Sequence, residues 1–317
     1  MSQQPYPPAV LIMGPTGAGK TDLALRLADR WPIEIISVDS AMVYRGMNIG
    51  TGKPTPDILE RYPHRLVDIL DPAEAYSAGQ FVRDATAAIA EAHAARKLPV
   101  LVGGTMLYFR ALRRGLAQMP PAHVPTRLQI DEEAAGCGWP AMHARLAEVD
   151  PSAAARIQPN DAQRIQRALE VYRLTGKPLS EWHATAHSPA ASLQFFAYAW
   201  VPSDRQRLYA AIETRFGRMM QDGLLEEVQR LYARGDLHAD LPAIRSVGYR
   251  QLWEHLKGDE PLASAMQRAI FATRHLARRQ MVWLRSERDV HWIDALESHA
   301  EAQMVQAIGS VLNETQS

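Results

Sequence analysis

One short segment near the start of the chain limits its possible folds more than any other feature. Gly14–Thr21 reads GPTGAGKT and fits the pattern G-x-x-x-x-G-K-[ST]. It follows the apolar run Ala9–Met13 and leads into Lys20–Arg30, whose apolar residues have helical spacing. This strand–loop–helix context is that of a phosphate-binding loop, in which backbone N–H groups and a helix N-terminus converge on phosphate oxygens. The segment predicts a diphosphate or triphosphate site.

Every residue of this loop belongs to the predicted site. The residues are Gly14, Pro15, Thr16, Gly17, Ala18, Gly19, Lys20 and Thr21. We expect Lys20 to neutralise the outer phosphate and the Thr21 hydroxyl to ligate Mg²⁺, a cation that prefers oxygen ligands. A loop of this ATP-binding type does not reveal which phosphate compound it holds. The alternative is a glycine-rich turn that only connects a strand to a helix.

Strand-like and helix-like segments alternate in the first third of the chain. Ile33–Val38, Leu66–Ile69 and Pro99–Val102 have strand character, and Ser77 is placed to cap a helix over Gln80–Ala95. Such alternation is typical of parallel sheets covered by helices. The sequence therefore predicts an α/β fold, with a P-loop core whose mostly parallel sheet is flanked by helices.

The pattern changes near Leu116, where a cluster of prolines marks a boundary. From there to about residue 192 the sequence reads as helices only, and strand character resumes at Leu193–Val201. We therefore expect an all-helical insertion domain at 117–192. The catalytic core would be formed by residues 1–116 and 193–317, with helices dominating its C-terminal part.

Composition and charge exclude several classes of protein. The chain has 317 residues, with 35 basic and 35 acidic side chains, so nucleic-acid binding would depend on a local basic surface. The sole cysteine, Cys137, excludes an intramolecular disulfide and a zinc–thiolate cluster. The start of the chain lacks signal-peptide features, and no apolar run approaches the about 18 residues of a membrane span. These features predict a cytoplasmic protein without a membrane partner.

An acidic residue follows the second predicted strand. Asp39 comes directly after Ile35-Ile36-Ser37-Val38, and ligands of parallel sheets sit at the carboxyl ends of the strands. We expect this carboxylate near the phosphate loop, where it would hold Mg²⁺ or act as a general base. The alternative is a turn cap, because Asp-Ser is favourable turn chemistry.

Eight segments together resemble the bacterial tRNA dimethylallyltransferases, also called tRNA isopentenyltransferases. They are GPTGAGKT (Gly14–Thr21), DSAMVYRGMNIGTGKP (Asp39–Pro54), His64-Arg65-Leu66, Ala75-Tyr76-Ser77, LVGGTMLY (Leu101–Tyr108), NDAQRIQRALEV (Asn160–Val171), IRSVGYRQ (Ile244–Gln251) and RRQMVWLR (Arg278–Arg285). The match runs from about residue 9 to about residue 294. One departure is Met42, where many members of the family carry Gln.

The resemblance implies an enzyme that transfers a dimethylallyl group from dimethylallyl diphosphate to N6 of the adenine just 3′ of the anticodon. The implied partners are the tRNA anticodon stem-loop and the diphosphate donor, with Mg²⁺ as cofactor and the chain acting as a monomer. The implied catalytic residues are Asp39 as the base, Thr105 beside the reacting adenine and Arg215 as a diphosphate clamp. On helical charge alone, Arg215 would be read as a solvated side chain.

The resemblance also implies a set of tRNA contacts. They are Asp39, Ser40, Ala41, Met42, Thr105, Arg127, Gln163, Arg164, Ile165, Gln166, Arg167, Ile244, Arg245, Ser246, Val247, Gly248, Tyr249, Arg278, Arg279, Gln280, Trp283 and Arg285. Two stretches in this set are basic, one in the insertion and one near the C-terminus, and arginines suit phosphates and stacked bases. Without the resemblance they read as ordinary basic helices, with Trp283 in a core.

Two other functions remain open from the residues. A P-loop small-molecule kinase would share the loop and the size of this chain, and would bind ATP. A non-catalytic RNA-binding regulator would keep the basic C-terminal helix and would bind RNA in a salt-sensitive way without Lys20. The ordered set of motifs favours the tRNA-modifying transferase.

Overall fold

The computed structural model describes residues 7–115, 117, 119–184 and 193–314. Its strands form a six-stranded sheet in the order β3-β2-β4-β1-β5-β6, and the pairings between these strands are all parallel. The strands are β1 (Pro8–Met13), β2 (Ile33–Val38), β3 (His64–Arg65), β4 (Leu98–Gly103), β5 (Gln194–Val201) and β6 (His291–Asp294). The predicted α/β class with a mostly parallel sheet is confirmed.

The described chain also contains fourteen helices, and those of the unit that contains the sheet flank it. They are α1 (Lys20–Ala28), α2 (Pro56–Arg61), α3 (Ala78–Ala94), α4 (Met106–Arg114), α5 (Val124–Cys137), α6 (Trp139–Val149), α7 (Pro151–Ala154), α8 (Ala162–Thr175), α9 (Leu179–Ala184), α10 (Arg205–Gln221), α11 (Leu224–Tyr232), α12 (Tyr249–Leu256), α13 (Leu262–Arg285) and α14 (Ala300–Glu314). No helix in the described ranges is both long enough and apolar enough to cross a bilayer.

The central strands are buried on both faces. Val10 and Ile12 of β1 belong to a core cluster that includes residues of α1 and α14. Leu11 alternates with them, so its side chain points to the opposite face, where it is equally inaccessible to water. Burial on both faces explains why these strands read as continuous apolar runs in the sequence.

The third strand differs from its prediction. The sequence placed it at Leu66–Ile69, whereas β3 is His64–Arg65. Leu66 and Asp68 have φ angles of 64° and 56°, so the backbone leaves the extended conformation immediately after β3. By contrast, Ser77 caps α3 as predicted, because its hydroxyl accepts from the Gln80 backbone in a complete capping box.

Contacts divide the chain into two compact units. The described residues of 1–113 and 192–317 form one unit, which contains the sheet, and those of 114–191 form the other. The sequence placed the insertion at 117–192, and of its boundary residues 116 and 185–192 lie outside the described ranges. The smaller unit is helical and has its own core around Ile130, Met142, Leu146 and Ile165.

Candidate active site

The phosphate loop lies between β1 and α1, at the carboxyl end of a central strand. Gly19 caps α1 with a φ of 78°, in the left-handed region that favours glycine. A Cβ atom on Gly14 would lie 2.2 Å from the backbone oxygen of Trp200, so a larger residue does not fit there. The first and last glycines of the motif are thus required by backbone geometry, which leaves the loop amides at the head of a helix.

Lys20 lies beneath this loop and is only 9% exposed. Its Nζ donates a hydrogen bond to the Pro15 carbonyl at 2.7 Å. Burial lowers the pKa of Lys20 to about 7; nearby Asp39 opposes this shift and Arg215 adds to it. A bound polyanion such as diphosphate would raise the pKa of Lys20 and favour its ammonium form.

Gln280 on α13 joins the phosphate loop to the end of β4. Its Oε1 accepts from the Thr16 backbone N–H at 2.8 Å, and its Nε2 donates to the Gly104 carbonyl at 2.9 Å. The sequence analysis assigned Gln280 to tRNA contact. Both ends of its amide are bonded to the protein, so Gln280 connects the phosphate loop to the loop that follows β4. Nothing in its local sequence signalled this long-range bridge.

Asp39 follows β2, and its two carboxylate oxygens differ in their hydrogen bonding. Its Oδ1 accepts from the backbone N–H groups of Ala41 at 2.8 Å and Met42 at 3.2 Å. This is the turn cap that was the alternative to a functional role. Within the described residues, Oδ2 has no hydrogen-bond partner, so the side chain caps the turn through one oxygen only, and Asp39 lines the cavity.

Thr105 connects to the same turn from the end of β4. Its Oγ1 accepts from the Ser40 backbone N–H at 3.2 Å, and its own N–H donates to the Val38 carbonyl at 3.2 Å. Two strand ends are therefore tied together across the sheet edge. Asp39 and Thr105, which are far apart in the sequence, are brought together by this pairing.

Arg215 on α10 projects into the site from the other side. Its Nη2 lies 3.5 Å from the Thr51 carbonyl, and a Cβ on Gly52 would lie 1.6 Å from the same nitrogen. Burial lowers the pKa of Arg215, and Asp39 and Asp22 oppose the shift. The side chain is therefore packed against a backbone turn and is not the solvated helix charge that local sequence suggests.

Lys20, Asp39, Arg215 and Gln280 line a single cavity of 870 Å³, whereas Thr105 lies beside it and is not among the lining residues. The groups that matter for chemistry among its lining residues are Thr16, Lys20, Thr21, Asp22, Asp39, Met42, Lys53, Asp68, Gly104, Arg215, Arg218 and Gln280. All of them belong to the unit that contains the sheet. The cavity combines the buried Lys20 and the half-buried Arg215 with the Asp39 carboxylate.

Lys53 also lines the cavity but is already fully bonded. Its Nζ donates to the Tyr44 carbonyl at 2.9 Å, to Asn48 Oδ1 at 2.8 Å and to Asp68 Oδ1 at 2.6 Å. An ammonium group has three donors, so none remains for a phosphate. Burial lowers the pKa of Lys53 against the opposing effect of Asp68. Its role is to fix the segment that precedes α2.

The donor set around Thr21 fits a magnesium ion bound mainly through phosphate oxygens. Thr21 lines the cavity at the first turn of α1, and Asp22 and Asp39 line the same cavity. In the part of the chain that is described, no group of three or more His, Cys, Asp or Glu side chains forms a metal site. Mg²⁺ keeps several waters and commonly takes one or two protein ligands plus substrate phosphates, so it needs no such cluster.

Substituting Gly52 is expected to displace Arg215 without unfolding the protein. Gly52→Ala places a methyl group on the guanidinium, which is the movable end of a flexible side chain. We expect kcat/KM for the diphosphate donor that the sequence motifs imply to fall about tenfold or more. A misplacement of about 1 Å is costly at a reacting site. Gly46→Ala is the matched control, because Gly46 has a φ of 76° and open space around it. Equal losses in both variants would attribute the effect to backbone strain.

Three of the residues assigned to tRNA contact have buried side chains. Ile165, Ile244 and Tyr249 are each 0% exposed, so these side chains pack in cores and are not offered to RNA. This corrects the sequence interpretation, which had no means to separate the buried from the exposed positions of each motif. In the same IRSVGYRQ segment, Arg245 is exposed, Ser246 and Val247 are half-buried, and Gly248 is buried.

Three arginines of α13 differ from Arg268 and Arg274 of the same helix, which form ion pairs with glutamates. Arg278, Arg279 and Arg285 are exposed, and in the described ranges none of them has an ion-pair partner. Trp283 is half-buried, with the Arg110 guanidinium 4.5 Å from its ring centroid. It is thus at the edge of a core and still reachable from the surface.

The basic residues of the helical unit are largely compensated. Glu170 is fully buried and accepts from Arg127 at 2.9 Å and from Arg167 at 2.7 Å. Burial raises the pKa of Glu170, but these hydrogen bonds outweigh it and hold the pKa below its usual value. Arg164 pairs with Asp161 at 2.8 Å. Glu170 was not singled out in the sequence, although it lies in the motif that carries the arginines.

The two remaining polar candidates of this unit also differ from each other. Gln166 donates to Asp131 Oδ1 at 2.6 Å, so its amide is used inside the unit. Gln163, at the start of α8, is exposed. The surface that this motif presents is therefore smaller than the motif itself.

The parallel sheet, the loop at the head of α1 and the cavity beside it define a P-loop α/β protein. The sequence matches the family model described as IPP transferase over residues 42–287, and the model described as isopentenyl transferase over residues 7–68. The chain belongs to the tRNA dimethylallyltransferase family, also called the IPP transferase family.

Similar proteins agree with this assignment. A tRNA dimethylallyltransferase from Thioalkalivibrio sulfidiphilus is 57% identical over 286 residues, which are 90% of this chain and 89% of the relative. The structure of the full-length tRNA isopentenylpyrophosphate transferase from Bacillus halodurans is 34% identical, with a TM-score of 0.69 and 98% of each chain covered. A eukaryotic dimethylallyltransferase acting on tRNA is 26% identical, with a TM-score of 0.79 over 96% of this chain and 79% of that chain.

Proposed function

We propose that this chain transfers a dimethylallyl group from dimethylallyl diphosphate to N6 of the adenine immediately 3′ of the anticodon in tRNA, releasing diphosphate. The observation that carries the proposal is that Lys20, Arg215 and Asp39 line one cavity. Two cations serve a leaving group that gains negative charge, and a carboxylate serves a nucleophile that loses a proton. The enzyme is a prenyltransferase that modifies tRNA.

The phosphate loop supports departure of the diphosphate. When the bond from the dimethylallyl carbon to the diphosphate oxygen breaks, the electron pair stays on that oxygen and negative charge grows there. The loop amides, the Lys20 ammonium and the Arg215 guanidinium are already in place to stabilise this charge. Interactions that strengthen as charge develops accelerate the reaction, and fixed donors need no rearrangement.

Asp39 supports the attack by the adenine. The exocyclic nitrogen is a weak nucleophile because its lone pair is delocalised into the ring, so removal of its proton as the new bond forms lowers the barrier. Oδ2 of Asp39 is the acceptor for that proton, and Oδ1 holds the carboxylate in place through the turn. Thr105 Oγ1 accepts from Ser40, and its hydroxyl hydrogen has no acceptor among the described residues, so it can donate to the adenine.

We further propose Mg²⁺ as the cofactor, held by the Thr21 hydroxyl and the oxygens of the diphosphate. When bound, the ion supplies charge neutralisation for the leaving group. Thr21 lies at the first turn of α1, so a cation there would be adjacent to the phosphates that the loop holds.

The tRNA surface is proposed to include the exposed arginines of α13 and the exposed Arg245. Reaching N6 requires that the target base leaves its stack, and backbone contacts must hold the flanking nucleotides while it does so. Arg278, Arg279 and Arg285 are suited to phosphates because no carboxylate in the described ranges neutralises them. We propose that the helical insertion contributes through Gln163 and Arg164, that the chain acts as a monomer, and that it acts in the cytoplasm with its tRNA substrate.

The direct test is mass analysis of tRNA nucleosides after reaction. Purified protein, Mg²⁺, dimethylallyl diphosphate and unmodified tRNA with adenine 3′ of the anticodon are expected to yield N6-dimethylallyladenosine. A matched tRNA with another base at that position should give none. Absence of product from several adenine-bearing tRNAs, with phosphate transfer from ATP instead, would favour the kinase alternative.

A further inference from the structure

A buried glutamate outside the proposed catalytic residues accepts four hydrogen bonds. Glu227 on α11 is 2% exposed. Its Oε2 accepts from the backbone N–H groups of Asn48 and Ile49, both at 2.9 Å, and its Oε1 accepts from Gly50 N–H at 3.2 Å. The Tyr249 hydroxyl donates to the same Oε1 at 2.6 Å. One carboxylate therefore collects three successive amides of a turn that is distant in sequence.

That turn is the surface on which the Arg215 guanidinium rests. It continues from Gly50 to Thr51, whose carbonyl faces Arg215 Nη2, and to Gly52, which lies beneath the same nitrogen. Gly52 N–H closes the turn by donating to the Ile49 carbonyl at 2.9 Å. A shift of the amides that Glu227 holds would therefore move the platform under the guanidinium.

This backbone connects Glu227 to Arg215, because Glu227 accepts from the amides of residues 48–50 and Arg215 contacts Thr51 and Gly52. Tyr249 packs against the same turn, because its ring would be 2.6 Å from a Cβ on Gly50. The turn is therefore held by a carboxylate and packed against an aromatic ring.

We propose that Glu227 is a positioning residue for prenyl transfer, which sets the Arg215 guanidinium against the diphosphate by fixing residues 48–52. The inference rests on the proposed diphosphate role of Arg215. It adds a residue that touches no substrate and yet determines how strongly the leaving group is held. It also gives the buried Tyr249 a function, since its hydroxyl helps to orient the carboxylate.

The informative substitution is Glu227→Gln, which keeps size and shape. The amide nitrogen that replaces one carboxylate oxygen is a donor, so it opposes at least one backbone N–H of the turn. Tyr249→Phe is a milder companion, because it leaves the Glu227 carboxylate unaltered and removes only the hydroxyl, which donates to Glu227 and also interacts with the Gly50 and Thr51 backbone.

A double-mutant cycle with Arg215→Ala tests the proposal. In the wild-type background we expect Glu227→Gln to lower kcat/KM for dimethylallyl diphosphate by about 10- to 100-fold, as a misplaced contact at a reacting centre does. In the Arg215→Ala background, we expect the additional loss to be within about twofold. The dissociation constant for tRNA, measured for all four proteins, should change little, whereas loss of buried hydrogen bonds should lower the unfolding temperature of Glu227→Gln to a similar extent in both backgrounds.

Several results would overturn the inference. If Glu227→Gln lowered kcat/KM by the same factor with and without Arg215, Glu227 would not act through Arg215. A Glu227→Gln enzyme with wild-type kcat/KM would show that Glu227 has no positioning role. Wild-type activity of Arg215→Ala would refute the clamp and this inference together, whereas an inactive wild-type protein would refute the proposed function itself. If Glu227→Gln does not fold, Tyr249→Phe is expected to give a smaller loss that also vanishes with Arg215→Ala, and an undiminished loss contradicts the inference.

Discussion

Replacing Asp39 by Asn is expected to lower kcat for prenyl transfer by about 10²- to 10⁴-fold, the usual contribution of a general base. Asparagine retains an Oδ1 that can accept from the Ala41 and Met42 backbone N–H groups, so the turn is preserved. What is lost is the free carboxylate oxygen. The comparison of Asn with Ala therefore separates the two interpretations of this residue, a turn cap and a base.

The measurement is single-turnover formation of N6-dimethylallyladenosine, with tRNA binding measured separately. We expect Asp39→Asn and Asp39→Ala to be similarly slow, and tRNA affinity to change little in the Asn variant. Asp39 raises the pKa of Lys20, so its removal also reduces the protonated fraction of Lys20. Affinity for inorganic diphosphate is therefore the required control. Normal turnover in Asp39→Asn with a defect only in Asp39→Ala would reduce Asp39 to a turn cap.

Replacing Lys20 by Met should lower kcat by about 10²- to 10³-fold, comparable to the loss of one donor to a developing anion. Methionine fills a similar volume but carries no charge to place on the departing diphosphate. Affinity for inorganic diphosphate, followed by calorimetry, should fall as well. An unchanged kcat would mean that Lys20 is a packing residue and that Arg215 and the loop amides suffice.

The same variant has a stability signature with a defined sign. Lys20 has a pKa of about 7 in the folded protein against 10.5 for an ordinary lysine. Between these values the unfolded chain binds more protons at this residue, so its contribution to the free energy of unfolding rises with pH. We therefore expect Lys20→Met to be more stable than the wild type, most of all below about pH 7, with the difference shrinking up to about pH 10.5.

Chemical denaturation of both proteins at a series of pH values measures this difference. Inorganic diphosphate should add stability to the wild type and much less to Lys20→Met, since a ligand stabilises only the state that binds it. A pH-independent difference between the two proteins would show that Lys20 is not buried as a neutral amine in the free enzyme.

The sequence predicted those structural roles that depend on residues close to one another in the chain. The strand, loop and helix around Gly14–Thr21 specify one another over a few residues, through burial, glycine conformation and helix capping. Likewise the capping box at Ser77 is a short-range arrangement. The exception is Leu66–Ile69, where β-branched and apolar residues suggested a strand but two left-handed residues end it.

The sequence by itself determined the α/β class, the phosphate loop and, through its ordered motifs, the family. Only the tertiary structure decided which motif residues face the cavity, because burial depends on partners far along the chain. It showed that Gln280 braces two loops, that Lys53 has no free donor and that Tyr249 is bonded to Glu227. Such roles arise from hydrogen bonds between residues far apart in sequence, and no local pattern of residue types encodes them.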